Sequence, residues 1–105
     1  MVPASVEKAV ISWSGNWMAT IDSRDGDVGF HSEIYLKIWS WDENQENWVL
    51  NTRIDRPHGI AKVTDISFSP DVGIKSVFLV TTGNDGRIKT WRLKRGSSTD
   101  TEISA

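Results

Sequence analysis

The stretch Leu79-Val80-Thr81-Thr82-Gly83-Asn84-Asp85-Gly86-Arg87-Ile88-Lys89-Thr90-Trp91 decides the fold class. β-Branched and aromatic residues lie on both sides of an Asn-Asp-Gly break, and glycine accepts the positive φ that a tight hairpin turn demands. The stretch therefore reads as two antiparallel strands, 77–82 and 87–93. Just upstream, 63–69 is another short apolar run, closed by Ser69-Pro70-Asp71. The first half repeats the pattern. A strand over 6–13 puts Ala9, Ile11 and Trp13 on one face, and Ser14-Gly15-Asn16 turns it into a partner over 17–22. After a polar stretch, 34–41 alternates Ile34, Leu36 and Ile38 with Tyr35, Lys37 and Trp39. A second polar loop leads to a strand with Trp48, Leu50, Thr52 and Ile54 on one face. No window holds a helical apolar period over three turns, and the Val, Ile, Thr and Trp content favours strands. The expectation is an all-β chain of seven strands, followed by a Ser- and Thr-rich tail over 94–105 that reads as a linker or frayed terminus.

Composition narrows the function classes. Charged residues make up 25% and the net charge is -2, so no strong positive field invites phosphate and direct nucleic-acid binding is disfavoured. The chain has no cysteine, which removes disulfides, thiolate metal sites and thiol nucleophiles and agrees with a reducing intracellular compartment. No apolar run is long enough for a membrane span or a secretory signal. Six tryptophans in 105 residues need burial or a partner.

The halves overlay. Ile11-Ser12-Trp13-Ser14 lies against Ile66-Ser67-Phe68-Ser69, Met18-Ala19-Thr20 against Leu79-Val80-Thr81, and Lys37-Ile38-Trp39 against Lys89-Thr90-Trp91. A period of about 40–50 residues with Trp closing the third strand is the propeller pattern among repeat architectures. His58, Val63, Ile66-Ser67-Phe68-Ser69-Pro70, Leu79-Val80-Thr81-Thr82, Asp85 and Trp91 occur in the order found in WD repeats, and the chain resembles the WD-repeat family. The resemblance implies about two four-stranded antiparallel blades of an incomplete β-propeller ring, the first at 1–56 and a second, incomplete one at 57–93. It also implies a structural tetrad of His58, Thr81, Asp85 and Trp91. Arg92 and Ser40 replace the Asp of the Trp-Asp dipeptide, so both repeats are divergent.

A narrower string, Leu36-Lys37-Ile38-Trp39, Val49-Leu50-Asn51-Thr52-Arg53-Ile54, Pro57-His58, Leu79-Val80-Thr81 and Asp85-Gly86, resembles nucleolar WD-repeat subunits of the small-subunit processome. That resemblance implies a nucleolar scaffold for ribosome biogenesis, linking ribosomal RNA transcription to pre-rRNA processing. The partners it implies are other protein subunits of a large assembly, together with pre-rRNA or small nucleolar RNA. It implies neither a small-molecule substrate nor a membrane. A WD-repeat adaptor in ubiquitin ligation or signalling is the competing reading, because fold alone does not fix function. A direct RNA-binding module is another.

Catalytic and cofactor chemistry find little footing. Neither a nucleophile elbow nor a phosphate or dinucleotide glycine loop occurs, so the expectation is no enzyme, no catalytic residues and no cofactor. Residues 22–33 begin and end with carboxylates like a calcium loop, but Arg24 and Asp27 occupy positions that need an oxygen ligand and a glycine. His31 and His58 lack partners at metal spacing, so no metal site is expected. The remaining candidates are surface contacts. Trp41 and Trp48 flank a loop, either as partner anchors or packed on each other across a hairpin. Arg87, Lys89, Arg92 and Lys94 could touch RNA phosphate if they lie on one continuous surface.

Overall fold

The computed structural model describes residues 5–24, 33–71, 77–93 and 101–102. All their regular elements are strands: β1 (Ser5–Ile11), β2 (Trp17–Arg24), β3 (Glu33–Asp42), β4 (Asn47–Asp55), β5 (Val63–Phe68), β6 (Val77–Gly83), β7 (Ile88–Leu93) and β8 (Thr101–Glu102). Sheet 1 runs β1-β2-β3-β4 and sheet 2 runs β5-β6-β7-β8, each an antiparallel meander. The seven expected strands are present. The two-residue β8, inside the stretch read as a tail, pairs Thr101 with Trp91 and Glu102 with Thr90.

The turns form as their glycines dictate, with φ of 81° at Gly15 and 77° at Gly86. Each meander also opens on the same serine device. The Trp17 amide donates to Ser12 Oγ at 3.1 Å, and the Phe78 amide donates to Ser69 Oγ at 2.9 Å. These serines are therefore equivalent. The strand register agrees, pairing Ile11 with Met18 and Phe68 with Leu79. Ile11 is thus the counterpart of Phe68, and the sequence overlay is two residues out in the first strand. Its repeated Ser-aromatic-Ser pattern matched by type, whereas hydrogen bonding sets the register.

A bulge also corrects one face assignment. In β3 and β4, Ile38 pairs with Thr52 but Trp39 pairs with Leu50, so Asn51 is extra. An extra residue reverses the alternation beyond it. Thr52 and Ile54 consequently share a face with Ile38 and Leu36, while Leu50 and Trp48 lie on the opposite face with Trp39 and Trp41. In β1 Val10 packs on the core, whereas Ile11 is 54% exposed and Trp13, in the turn beyond the strand, is 71% exposed.

One apolar core spans both sheets. Sheet 1 contributes Trp17, Ala19, Ile21, Ile34, Leu36 and Ile38, and sheet 2 contributes Ile66, Phe68, Leu79, Trp91 and Leu93 among others. Burying each large aliphatic side chain stabilises by about 1.5–3 kcal/mol relative to exposure. Asp71 adds a polar joint between the sheets, where its carboxylate accepts the Ser14 amide at 2.7 Å and also the Ser14 hydroxyl. Burial pushes the Asp71 carboxyl up, but these Ser14 contacts and Ser12 outweigh it and hold it below the ordinary value.

Candidate functional site

The most connected polar group among the described residues lies at the β6–β7 turn. His58 comes from the turn after β4, which reverses through positive φ values at Arg56 (50°) and Gly59 (64°). His58 Nε2 lies 2.8 Å from Thr81 Oγ1, and its Nδ1 lies 3.1 Å from Asp85 Oδ1. The Trp91 indole N–H donates to the same Thr81 oxygen at 3.0 Å. An indole can only donate, so Thr81 accepts from Trp91; a carboxylate can only accept, so a neutral His58 carries its proton on Nδ1 and its Nε2 takes the Thr81 hydroxyl proton. His58 then donates from Nδ1 to Asp85. The structure thus brings His58, Thr81, Asp85 and Trp91 into one directed chain.

Backbone geometry fixes both ends of that chain. Asp85 also accepts the Arg87 amide at 3.0 Å. Burial raises its carboxyl, but the Arg87 amide, His58 and the Arg87 charge prevail and hold it below the ordinary range. Gly83 makes room for the imidazole, since a Cβ there would lie 2.5 Å from His58 Nδ1. Lys89 Nζ donates to the Pro57 carbonyl at 2.6 Å, tying β7 to the turn that carries His58. Thr81 is fully buried and Trp91 nearly so. Each of the four side chains hydrogen-bonds to its neighbour in the chain, an arrangement that rigidifies the turn.

The other candidates are dispersed. Trp41 and Trp48 pack edge to face, with centroids 5.3 Å apart and planes at 69°. Lys89 shares the buried side of β7 with Trp91, whereas Arg92 takes the opposite side. Arg87 stands exposed in the turn at the far end of β7. The described members of the basic group therefore do not share one continuous face, and Lys94 lies outside the described residues, as do His31 and most of the calcium-like loop. The ends of that loop are engaged elsewhere: Asp22 pairs with Lys37 at 2.5 Å, and Glu33 pairs with Arg24 at 3.4 Å.

Two features escaped the sequence reading. The Trp39 indole N–H donates to Thr20 Oγ1 at 3.1 Å, reproducing the Trp91–Thr81 bond in sheet 1. The overlay of Thr20 on Thr81 and Trp39 on Trp91 held the signal for it. The Asp22–Lys37 pair had no such signal, because Asp22 reads equally well as a loop carboxylate.

Comparison with known proteins places this geometry. Residues 2–105 match the family model described as the second beta-propeller of WD repeat-containing protein 75. The chain belongs to that family. WD repeat-containing protein 75 of Danio rerio is 37% identical over 86 residues, which is 82% of this chain and 10% of the relative. U3 small nucleolar RNA-associated protein 17 of Schizosaccharomyces pombe is 35% identical over 92 residues, covering 83% of this chain and 11% of the relative. NET1-associated nuclear protein 1 of Saccharomyces cerevisiae is 34% identical over 82 residues, covering 73% of this chain and 9% of the relative. The chain therefore spans about a tenth of these curated relatives. Membership in the second-propeller family of WD repeat-containing protein 75 makes the two meanders propeller sheets, with the His58 chain at the joint between them.

Proposed function

We propose that this chain is a sector of a non-catalytic WD-repeat scaffold that helps assemble the small ribosomal subunit in the nucleolus. The observation that carries this reading is the family match together with its relatives, one of them named for association with U3 small nucleolar RNA and another as a nuclear protein. The geometry supports it. The polar chain from His58 to Trp91 is consumed in holding strands together, and its role is that of a structural tetrad. Residues 1–56 and 57–93 act as two successive blades. Partners are other protein subunits of a large ribonucleoprotein, with pre-rRNA or small nucleolar RNA reached through that assembly. The function couples rRNA transcription to pre-rRNA processing, and no cofactor or membrane takes part. Dispersal of Arg87, Lys89 and Arg92 over different faces makes direct RNA contact by these residues the weaker alternative.

Affinity purification of the intact protein with RNA sequencing tests the proposal. Co-purification of pre-rRNA and small-subunit assembly proteins is the expected result, and it should persist when Arg87 and Arg92 are replaced by Gln. Recovery of ubiquitin-ligase or signalling subunits without pre-rRNA would overturn it.

A further inference from the structure

The two sheets place the same residue types at the same rungs and then diverge at one. Thr20 pairs with Lys37 as Thr81 pairs with Lys89, and Met18 pairs with Trp39 as Leu79 pairs with Trp91. Two residues beyond each threonine, sheet 2 has Gly83 and sheet 1 has Asp22. Gly83 is the position whose missing side chain admits His58, with 2.5 Å separating a built Cβ from the imidazole. At the equivalent point of sheet 1 a carboxylate fills that space. It is only 6% exposed, and Lys37 meets it at 2.5 Å. Lys37 is the counterpart of Lys89, which in sheet 2 points instead to the Pro57 carbonyl at 2.6 Å.

We propose that Asp22 and Lys37 form a clasp that holds β3 of sheet 1 against β2. The chemistry fits. A half-buried ammonium and a nearly buried carboxylate at contact distance form a charge-assisted hydrogen bond, stronger than a neutral one, and removing either partner strands the other charge. The clasp draws both partners from strands. In the His58–Asp85 link of sheet 2, by contrast, one partner comes from the β6–β7 turn and the other from the segment joining the sheets. Arg24 pairs with Glu33 as the last rung before the β2–β3 connection.

Hydrogen–deuterium exchange of the intact protein tests this. Lys37→Met should raise the exchange rate over 17–24 and 33–42 at least about fivefold while leaving 77–93 unchanged, since local opening reports local stability. Lys37→Arg should restore protection, and Asp22→Asn should behave like Lys37→Met. The clasp is overturned if Lys37→Met leaves sheet 1 unchanged, if its effect spreads equally to 77–93, or if Lys37→Arg fails to rescue.

Discussion

Strands β1 and β5 are the matched inner strands of two matched sheets, yet they live in opposite environments. Val63, Ile66 and Phe68 of β5 are buried against sheet 1. Their counterparts Val6, Ala9 and Ile11 are exposed, Val6 to 66%. Further out the contrast recurs, since Trp91 is buried while Trp39 is half covered. The difference teaches that burial here belongs to the neighbour and not to the strand. Sheet 1 covers this face of sheet 2, and among the described residues nothing covers the equivalent face of sheet 1. Small and aliphatic residues at 6, 9 and 11 therefore mark a surface shaped for a further sheet, the ordinary circumstance of a propeller sector.

The contrast can be broken most sharply at its apolar centre. In the 105-residue chain, Phe68→Ala should cost about 3–5 kcal/mol by urea denaturation, against less than about 0.5 kcal/mol for the equivalent Ile11→Ala. In the intact protein the Ile11 penalty should rise, and a penalty that stays near zero there would mean that no sheet seats on this face. Next come the two threonines. Thr81→Val strands both the Trp91 indole and the His58 ring in a buried site and should cost about 2–4 kcal/mol. Thr20→Val strands one half-covered indole and should cost about 1 kcal/mol. Equal losses would show that the His58 chain adds nothing beyond the shared Trp–Thr bond.

A smaller effect separates the rungs beyond the threonines. Gly83→Ala forces a methyl into His58 and should cost about 1–3 kcal/mol, while Asp22→Gly opens space and should show its loss only locally, in exchange over β2 and β3. The smallest effect concerns acid. The folded Asp85 carboxyl lies below its ordinary value, so its contribution is complete above the unfolded value of about 4 and is lost as pH falls through the folded one. The gap in urea midpoint between the native chain and Asp85→Asn should be constant at neutral pH and close on acidification. A gap that widened on acidification would contradict the direction of the shift. Asp71, depressed in the same direction, should weaken the joint to Ser14 over the same range.

Much of this was legible from sequence. Short β-branched runs and glycine turns specify the strands, and His58, Thr81, Asp85 and Trp91, which the family resemblance grouped, are joined neighbour to neighbour by hydrogen bonds. The face assignment failed in β4 because a bulge is a backbone event that adds a residue without any residue type to announce it. The Asp22–Lys37 pair was hidden for another reason. Carboxylates and lysines are common on exposed strands, and only register showed these two meeting diagonally. The brief β8 was hidden too, because a Ser- and Thr-rich tail has no apolar alternation even where two of its residues satisfy the open edge of β7.

The irregularity shared by β1 and β5 has a consequence for shape. Register slips between Val6 and Lys8 in one strand and between Val63 and Asp65 in the other, at corresponding points. A bulge bends its strand and increases local right-handed twist, so β1 and β5 coil in the same sense at the same point. Deleting the extra residue from one of them would flatten that edge while the other stayed coiled, and the two sheets would no longer share a contour.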